Sequence, residues 1–328
     1  MDDVTVVIPV KNEEKTVLPL LESLERLEEK PNEVVIVDGG SCDRTVEVIR
    51  TYLRAKSLPY PIRLIETLGA FPGKGRNLGI RNSSSPLIAC TDAGGRVDPK
   101  WLGELIAPFR KSLEVDLTIG RCESNASGLF EEISFFLFLK NIRRKSVVYS
   151  GCASLAFRRK LWEKVGGFPE NFYPCEDKYF LIKARQKARQ IEEIPSACVY
   201  WSPRQNPASF MKQYFLYGMG DGRIHLAKIY HGARFMVYGT GILLGLMGSS
   251  FVRGLVGLAL AMYLGEVSVR AFREIREGTV FLYVPLLLLA KDLSQMAGFL
   301  VGWVEGLFNP TFRLMRSALG PRREDAAD

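Results

Sequence analysis

Four short stretches of this chain combine carboxylates, glycines and a guanidinium in patterns suited to handling a phosphorylated ligand. Asp38 ends an apolar β-branched run and is followed by Gly39-Gly40-Ser41-x-Asp43-x-Thr45. The glycines permit a tight turn, and a carboxylate at a strand end can accept hydrogen bonds from a base or a ribose. Gly73-Lys74-Gly75-Arg76-Asn77 is basic and glycine-rich. It lacks the Walker pattern, since no Ser or Thr follows the lysine, yet it suits an anion approached by backbone N–H groups with Arg76 in support. Asp92, in Thr91-Asp92-Ala93-Gly94, closes a third apolar run. A carboxylate protruding there can bind a divalent cation that bridges phosphates. Glu176-Asp177 follows Pro174-Cys175 and opens a helical stretch, where the macrodipole favours ionised carboxylates. Phe172, Tyr173, Tyr179 and Phe180 around it suggest a pocket. Each feature also has a plainer reading: Ser41, Asp43 or Asp92 as caps, and the acid pair as a solvated first turn.

The elements that would position these residues alternate between two periods. Val4–Val10, Val34–Val37, Ile62–Ile65, Leu87–Cys90 and Leu117–Ile119 read as apolar strands. Helical spacing fills the intervals, with helices expected over 17–27, 46–53, 74–83, 99–113 and 178–188. Such alternation predicts an α/β fold with a mostly parallel sheet covered on both faces. Ligands in such sheets sit at the C-terminal strand ends, where Asp38 and Asp92 fall.

Beyond residue 205 the character changes. Ser209 to Arg234 mixes aromatics with Lys212, Arg223, Lys228 and Arg234 against the single acid Asp221. Phe235 to Leu264 is thirty residues with one charge, Arg253, and Val280 to Phe308 is again apolar apart from Lys291-Asp292 and Glu305. The first stretch is long enough to span a bilayer once with tilt, or to fold as a hairpin turned near Arg253. Gly241, Gly245, Gly248, Gly254 and Gly257 suit close helix packing in lipid. Basic residues flank both stretches: if positive residues stay inside, each stretch returns to the cytoplasmic side as a hairpin or re-entrant segment, whereas three simple spans would put the C-terminal arginines outside.

Over 328 residues, 44 Lys and Arg against 36 Asp and Glu leave a net charge of +8, with a pI near 9.1 and a mean hydropathy of +0.03. The apolar share of 47% excludes disorder and fibrous repeats. Six scattered Cys without a Cys-x-x-Cys pair read as reduced packing thiols. The acidic start Met1-Asp2-Asp3 resembles neither a signal nor a transit peptide, so the catalytic part is expected to face the cytoplasm. His225 and His231 read as polar interfacial residues, and no zinc or Ser-His-Asp pattern is present. The aromatic-basic stretch 209–234 reads as a helix at an anionic headgroup layer, with no nucleic-acid partner expected.

In this order the pieces resemble the family 2 glycosyltransferases of the GT-A fold, in their membrane-anchored bacterial and archaeal form. The matching pieces are Val6-Val7-Ile8-Pro9-Val10-Lys11-Asn12-Glu13-Glu14, Val35-Ile36-Val37-Asp38-Gly39-Gly40-Ser41, Arg76-Asn77-x-Gly79-Ile80 and Thr91-Asp92-Ala93. Gly151-Cys152-Ala153, Phe157-Arg158-Arg159, Gly166-Gly167-Phe168-Pro169-Glu170, Glu176-Asp177 and Lys212-Gln213-Tyr214-Phe215-x-Tyr217-Gly218 continue the series. The resemblance covers residues 4–220. It implies a GT-A catalytic domain over 1–205, to which the composition beyond 205 adds an amphipathic interfacial segment over 206–234, membrane-embedded helices over 235–310 and a basic, polar tail over 311–328.

The resemblance further implies that Pro9, Glu13 and Asp38 contact the base and ribose of a nucleotide-diphosphate sugar, with Arg76, Asp92 and Ala93 completing the donor site. Asp92 would hold Mg2+ or Mn2+, and Asp177, beside Glu176, would be the catalytic base for transfer with inversion. Two departures stand out. Gly94 replaces the second acid of Asp-x-Asp, and Gln213 is followed by Tyr214-Phe215-Leu216-Tyr217 where processive synthases carry Gln-x-x-Arg-Trp. The expectation is therefore transfer of one sugar to a membrane-associated acceptor, a polyprenyl phosphate, lipid-linked glycan or glycolipid. The competing readings are a sugar-phosphate nucleotidyltransferase, which would want a basic glycine loop after the first strand, and a non-catalytic membrane-tethered nucleotide-sugar binding protein.

Overall fold

A computed structural model of the protein describes residues 3–140 and 151–320. These fall into two compact units, the first drawn from residues 3–125 and 151–202 and the second from 126–140 and 203–320.

The chain begins with β1 (Val4–Val10), α1 (Val17–Glu25), β2 (Glu33–Asp38), α2 (Thr45–Ala55), β3 (Ile62–Glu66), α3 (Pro72–Arg81) and β4 (Leu87–Cys90). β5 (Gly95–Val97), α4 (Trp101–Lys111) and β6 (Val115–Ser124) follow, then α5 (Leu129–Phe135), which continues as a π-helical turn and belongs to the second unit. β7 (Leu155–Arg158), α6 (Arg159–Val165), α7 (Glu176–Lys187) and β8 (Gln190–Trp201) complete the first unit. Its sheet has the order β3-β2-β1-β4-β7-β6-β8-β5. The strands β3, β2, β1 and β4 are mutually parallel, as is β6 with β8, whereas β7 and β5 run antiparallel to their neighbours. Parallel pairs predominate, as expected, but the half beyond β4 is mixed.

β1 shows why the sheet is covered on both faces. Val4, Val6, Ile8 and Val10 pack with Leu20, Leu21 and Leu24 of α1 and Trp101 and Leu105 of α4. Val7, on the other face, packs with Ile80 of α3, Leu161 of α6 and Phe180 of α7. Each such fully buried side chain contributes about 1.5–3 kcal/mol. Pro9 lies beyond the last β1–β4 pairing, Val7 with Cys90, so its missing N–H deprives that side of no ladder bond.

The Gly73-Lys74-Gly75 segment is not a loop ahead of a helix. It lies inside α3, and its glycines let that helix press against its neighbours. A Cβ at Gly75 would stand 3.2 Å from Pro9 Cβ, and one at Gly73 2.6 Å from the Pro169 carbonyl oxygen.

The second unit continues with α8 (Pro207–Arg223), α9 (Lys228–Met247), α10 (Ser250–Ile275), α11 (Val280–Phe308) and α12 (Pro310–Ala318). α10 and α11 are long and apolar enough to cross a membrane, with mean hydropathies of 1.5 and 1.4 over windows that are 17% and 33% buried. The first apolar stretch is a hairpin, turning at Gly248-Ser249 between α9 and α10, a few residues before Arg253. The expected packing role of Gly241, Gly245, Gly254 and Gly257 is not borne out, since each faces open space. Close packing instead joins α8 to α11. A Cβ at Gly298, Gly302 or Gly306 would strike the backbone of Phe215, Met219 or Arg223, and one at Gly218 or Gly222 the backbone of α11.

His231 is fully buried rather than interfacial, with Nε2 3.2 Å from Asp221 Oδ2 and its ring stacked on Phe299. Asp292, one of the charges interrupting the second apolar stretch, is buried opposite Arg234, 3.4 Å away, and accepts from the Tyr238 hydroxyl at 2.9 Å. All six cysteines are free thiols, and Arg322 and Arg323 lie outside the described residues.

Candidate active site

Strand register brings three chain ends together. Val10 pairs with Asp38, and Val7 pairs with Cys90, so Asp38 and Asp92 leave the sheet on opposite flanks of Pro9. β1 is also where the strand order reverses, the crevice in which open α/β sheets hold ligands.

On the β2 side the loops are tied together. Asp38 is buried, and its carboxylate accepts from the Gly40 and Ser41 amides at 2.9 and 3.0 Å and from the Ser41 hydroxyl. Those bonds hold the Gly39-Gly40 turn, where Gly40 has φ +87°. The β1 loop is stitched to it. The Asn12 amide donates to Ser41 Oγ at 2.9 Å, the Glu13 amide to Thr45 Oγ1 at 2.7 Å and the Glu14 amide to Asp43 Oδ2 at 3.2 Å. The Glu13 carboxylate accepts from the Thr16 hydroxyl at the start of α1. Asp43 also accepts from the Thr45 amide at 3.0 Å, whereas Ser41 makes no cap of α2.

On the β4 side the acids converge. Arg76, on α3, is 3% exposed. Its Nη1 donates to Glu176 Oε1 at 2.8 Å and its Nη2 to Asp92 Oδ1 at 2.7 Å, while the guanidinium stacks over the Phe168 ring. One guanidinium thus spans two acids lying 84 residues apart in sequence. Asp177 follows Glu176 in the first turn of α7, entered through Cys175 at φ +74°. Its Oδ1 accepts from the Lys178 amide at 2.7 Å, and its Oδ2 lies where a Cβ at Gly151 would be 2.6 Å away. Ala93 is buried just after Asp92.

Burial governs the electrostatics of the pair. It pushes Glu176 up to about 7, with the neighbouring Asp177 adding to the rise and Arg76 opposing it. Asp177 is also raised, again chiefly by burial, with Arg76 pulling it down and the Asp92 charge pushing it up. The two acids therefore retain a proton above the ordinary carboxylate range, as a pair rather than singly.

Among the described residues no group of three or more His, Cys, Asp or Glu side chains is arranged to hold a metal ion. The Asp92 side chain is 40% exposed, with Oδ1 engaged by Arg76 and, among the described residues, no hydrogen bond to Oδ2. Arg76 Nε and Thr91 Oγ1 are buried without hydrogen-bond partners among the described residues. Asp92 Oδ2 offers one hard oxygen to a divalent ion that keeps waters and takes further oxygens from a phosphate ligand.

Two residues without an assigned role in the sequence prove structural here. Gly151 makes room for Asp177. Asn77 uses its whole amide on the turn before α7, donating to the Phe168 carbonyl at 2.8 Å and Glu170 Oε1 at 3.0 Å and accepting from the Phe168 amide and Trp162 Nε1, both at 2.9 Å. The cleft of about 490 Å3 beside that turn includes none of Asp92, Glu176 or Asp177 in its lining.

Residues 5–166 match the family described as glycosyl transferase family 2. The chain is 24% identical over 217 residues to the poly(ribitol-phosphate) beta-N-acetylglucosaminyltransferase TarS of Staphylococcus aureus, a match covering 64% of this chain and 37% of TarS. It therefore spans little more than a third of that relative. It is 30% identical over 132 residues to the dodecaprenyl-phosphate galacturonate synthase of Rhizobium johnstonii, covering 39% and 38% of the two chains. The fold is shared with a mannosyltransferase from Pyrobaculum calidifontis solved with GDP-Man and Mn2+, at a TM-score of 0.60 and 17% identity over 94% of this chain and 87% of that one. It is also shared with residues 1–349 of TarS in complex with UDP-GlcNAc, at a TM-score of 0.50 and 19% identity over 90% and 89%.

Proposed function

The chain belongs to the family 2 glycosyltransferases, and from that premise we propose that it moves one sugar from a nucleotide-diphosphate sugar to a membrane-associated acceptor, with inversion at the anomeric carbon. The carrying observation is the Asp92–Arg76–Glu176 bridge with Asp177 beside it, which sets a partly exposed acid next to a buried, proton-retaining pair. Asp177 takes the proton of the acceptor hydroxyl as that oxygen bonds to the anomeric carbon. The bond from that carbon to the donor phosphate breaks, and its electrons leave with the diphosphate. Arg76 holds Glu176 and Asp92 in place, and Pro9, Glu13, Asp38 and Ala93 line the nucleotide end. A divalent cation held by Asp92 and the donor phosphates would offset the charge of the leaving diphosphate.

The acceptor and the localisation belong to the same proposal. The α9–α10 hairpin carries Leu246, Met247 and Phe251 at 75–81% exposed, apolar surface that a bilayer would cover. α10 and α11, at 26 and 29 residues, are about 39 and 44 Å long, enough to cross a hydrocarbon core with tilt. A polyprenyl phosphate, lipid-linked glycan or glycolipid held in that layer would offer its head group to a cytoplasmic catalytic unit at the cell membrane. The dodecaprenyl-phosphate relative supports this acceptor class, and the neighbours bound to UDP-GlcNAc and to GDP-Man with Mn2+ support the donor and cation classes.

A panel of uridine- and guanosine-diphosphate sugars with Mg2+ or Mn2+, scored by thermal stabilisation and then by hydrolysis, tests the proposal. The expected result is stabilisation and slow hydrolysis with one donor, increased by lipid extract. Donor binding without hydrolysis or transfer to any lipid would favour the non-catalytic reading instead.

A further inference from the structure

Near the junction of α11 and α12 in the second unit, Arg223 pairs with the acid Glu305, Lys228 and Arg316 converge on the stacked rings of Trp303 and His225, and Arg313 lies one turn before Arg316. Arg223 Nε meets Glu305 Oε2 at 2.5 Å, and its guanidinium lies over the Phe312 ring. Arg316 Nη1 sits 2.7 Å from His225 Nδ1, and the His225 ring lies flat on Trp303 with centroids 3.8 Å apart. Lys228, which is exposed, stands over the same indole. Arg313 donates to the Leu307 carbonyl oxygen. Glu305 is thus engaged by Arg223, and among the described residues Lys228, Arg313 and Arg316 have no carboxylate partner. A cleft of about 610 Å3 nearby is walled by Arg223, Glu305 and Phe312, and Lys228, Arg313 and Arg316 lie outside its lining. His225 reports the field, since burial and then the Arg316 and Lys228 charges bring its pKa down to about 4.

We propose that this corner binds the phosphate of an anionic membrane-lipid head group. The inference rests on the membrane anchoring proposed above, not on sugar transfer. Three cations without acidic partners form an anion site that need not displace an internal ion pair. The surroundings select the source of the phosphate. Ile229 and Leu314, next in sequence to Lys228 and Arg313, and Phe308 at the end of α11 are 65%, 71% and 77% exposed, and Trp303 and Tyr230 are ring types that favour the headgroup level. A soluble phosphate would leave that apolar rim in water, whereas a lipid covers it with its own chains.

The full chain in neutral detergent micelles is titrated with dioctanoyl-phosphatidylglycerol, dioctanoyl-phosphatidylcholine and inorganic phosphate, and the thermal midpoint is read. Saturable stabilisation by phosphatidylglycerol alone is expected. The Lys228→Gln/Arg313→Gln/Arg316→Gln variant should weaken it about 100-fold, each basic side chain contributing roughly a factor of five. As a control on folding of that triple variant, the single exposed change Lys228→Gln is measured beside it, with about a fivefold loss expected. Equal stabilisation by both lipids, unchanged phosphatidylglycerol affinity in both variants, or equal potency of inorganic phosphate would overturn the proposal. A chain that fails to fractionate with membranes at all would sink the anchoring instead, and intact donor hydrolysis would still leave the transfer reading standing.

Discussion

Arg76 Nη1 and Glu176 Oε1 lie 2.8 Å apart with both residues buried, at 3% and 5% exposed. The pair ties α3 to the first turn of α7, and so ties the helix behind β1 to the proposed base. The resemblance alone would have Arg76 reach for the nucleotide. The geometry gives both its terminal nitrogens to acids, Asp92 and Glu176.

Removing Arg76 should therefore cost both stability and rate. Arg76→Met leaves Glu176 buried without its cation, a loss of about 3–5 kcal/mol. Arg76→Lys keeps the charge but cannot span both acids with a planar fork. Chemical denaturation should show the methionine variant much the weaker of the two, with donor hydrolysis lost in both.

Asp177→Asn should leave nucleotide binding nearly intact while kcat for transfer falls about 10²–10⁴-fold, the usual share of a positioned base. Steady-state transfer with the preferred donor and calorimetric nucleotide titration separate the two effects. Full turnover by the asparagine variant would remove the mechanism.

Gly151 has φ +56° and stands where a Cβ would press on Asp177 Oδ2. Gly151→Ala should lower kcat sharply, since strain and contact both displace the base, with nucleotide affinity retained. Gly128→Ala, at an extended residue with open space around it, should leave activity unchanged. Equal activity of the two variants would mean that Asp177 needs no such placement.

Asp92→Ala should abolish the extra thermal stabilisation that Mn2+ gives in the presence of donor, and chelation of the wild-type protein should reproduce the loss. Donor stabilisation that survives both treatments would count against a cation at Asp92.

What the sequence disclosed follows from periodicity. β1 to β4 are short apolar runs bounded by turns, and their register carries Asp38 and Asp92 to neighbouring strand ends. β8 was not legible, because Glu192, Glu193, Pro195 and Ser196 break any apolar alternation and several of its residues face solvent. β5, with three residues, is too short to carry a period. The Arg76–Glu176 contact crosses 100 residues, a distance no local pattern reports. The packing glycines of the second unit escaped for a related reason. Gly218 and Gly222 precede the apolar stretches, and their role shows only once α8 meets α11.

The raised acids finally set a direction for pH. Glu176 titrates near 4.5 in an unfolded chain and at about 7 in the fold. Between those values the folded protein holds a proton that the unfolded chain has released, so the group's contribution to stability falls as pH rises through that window. Glu176→Gln cannot titrate, so its stability relative to wild type should climb from about pH 4.5 to about 7 and then level off. Denaturant midpoints across that range measure the difference. Activity runs the other way: Asp177 is raised too, and only its ionised form accepts the acceptor proton. Transfer by the wild-type protein should thus decline on the acid side well before the pH at which free carboxylates protonate. A flat stability difference between wild type and the glutamine variant would show that the two acids are ionised normally, and the proton-retaining pair would have to be abandoned.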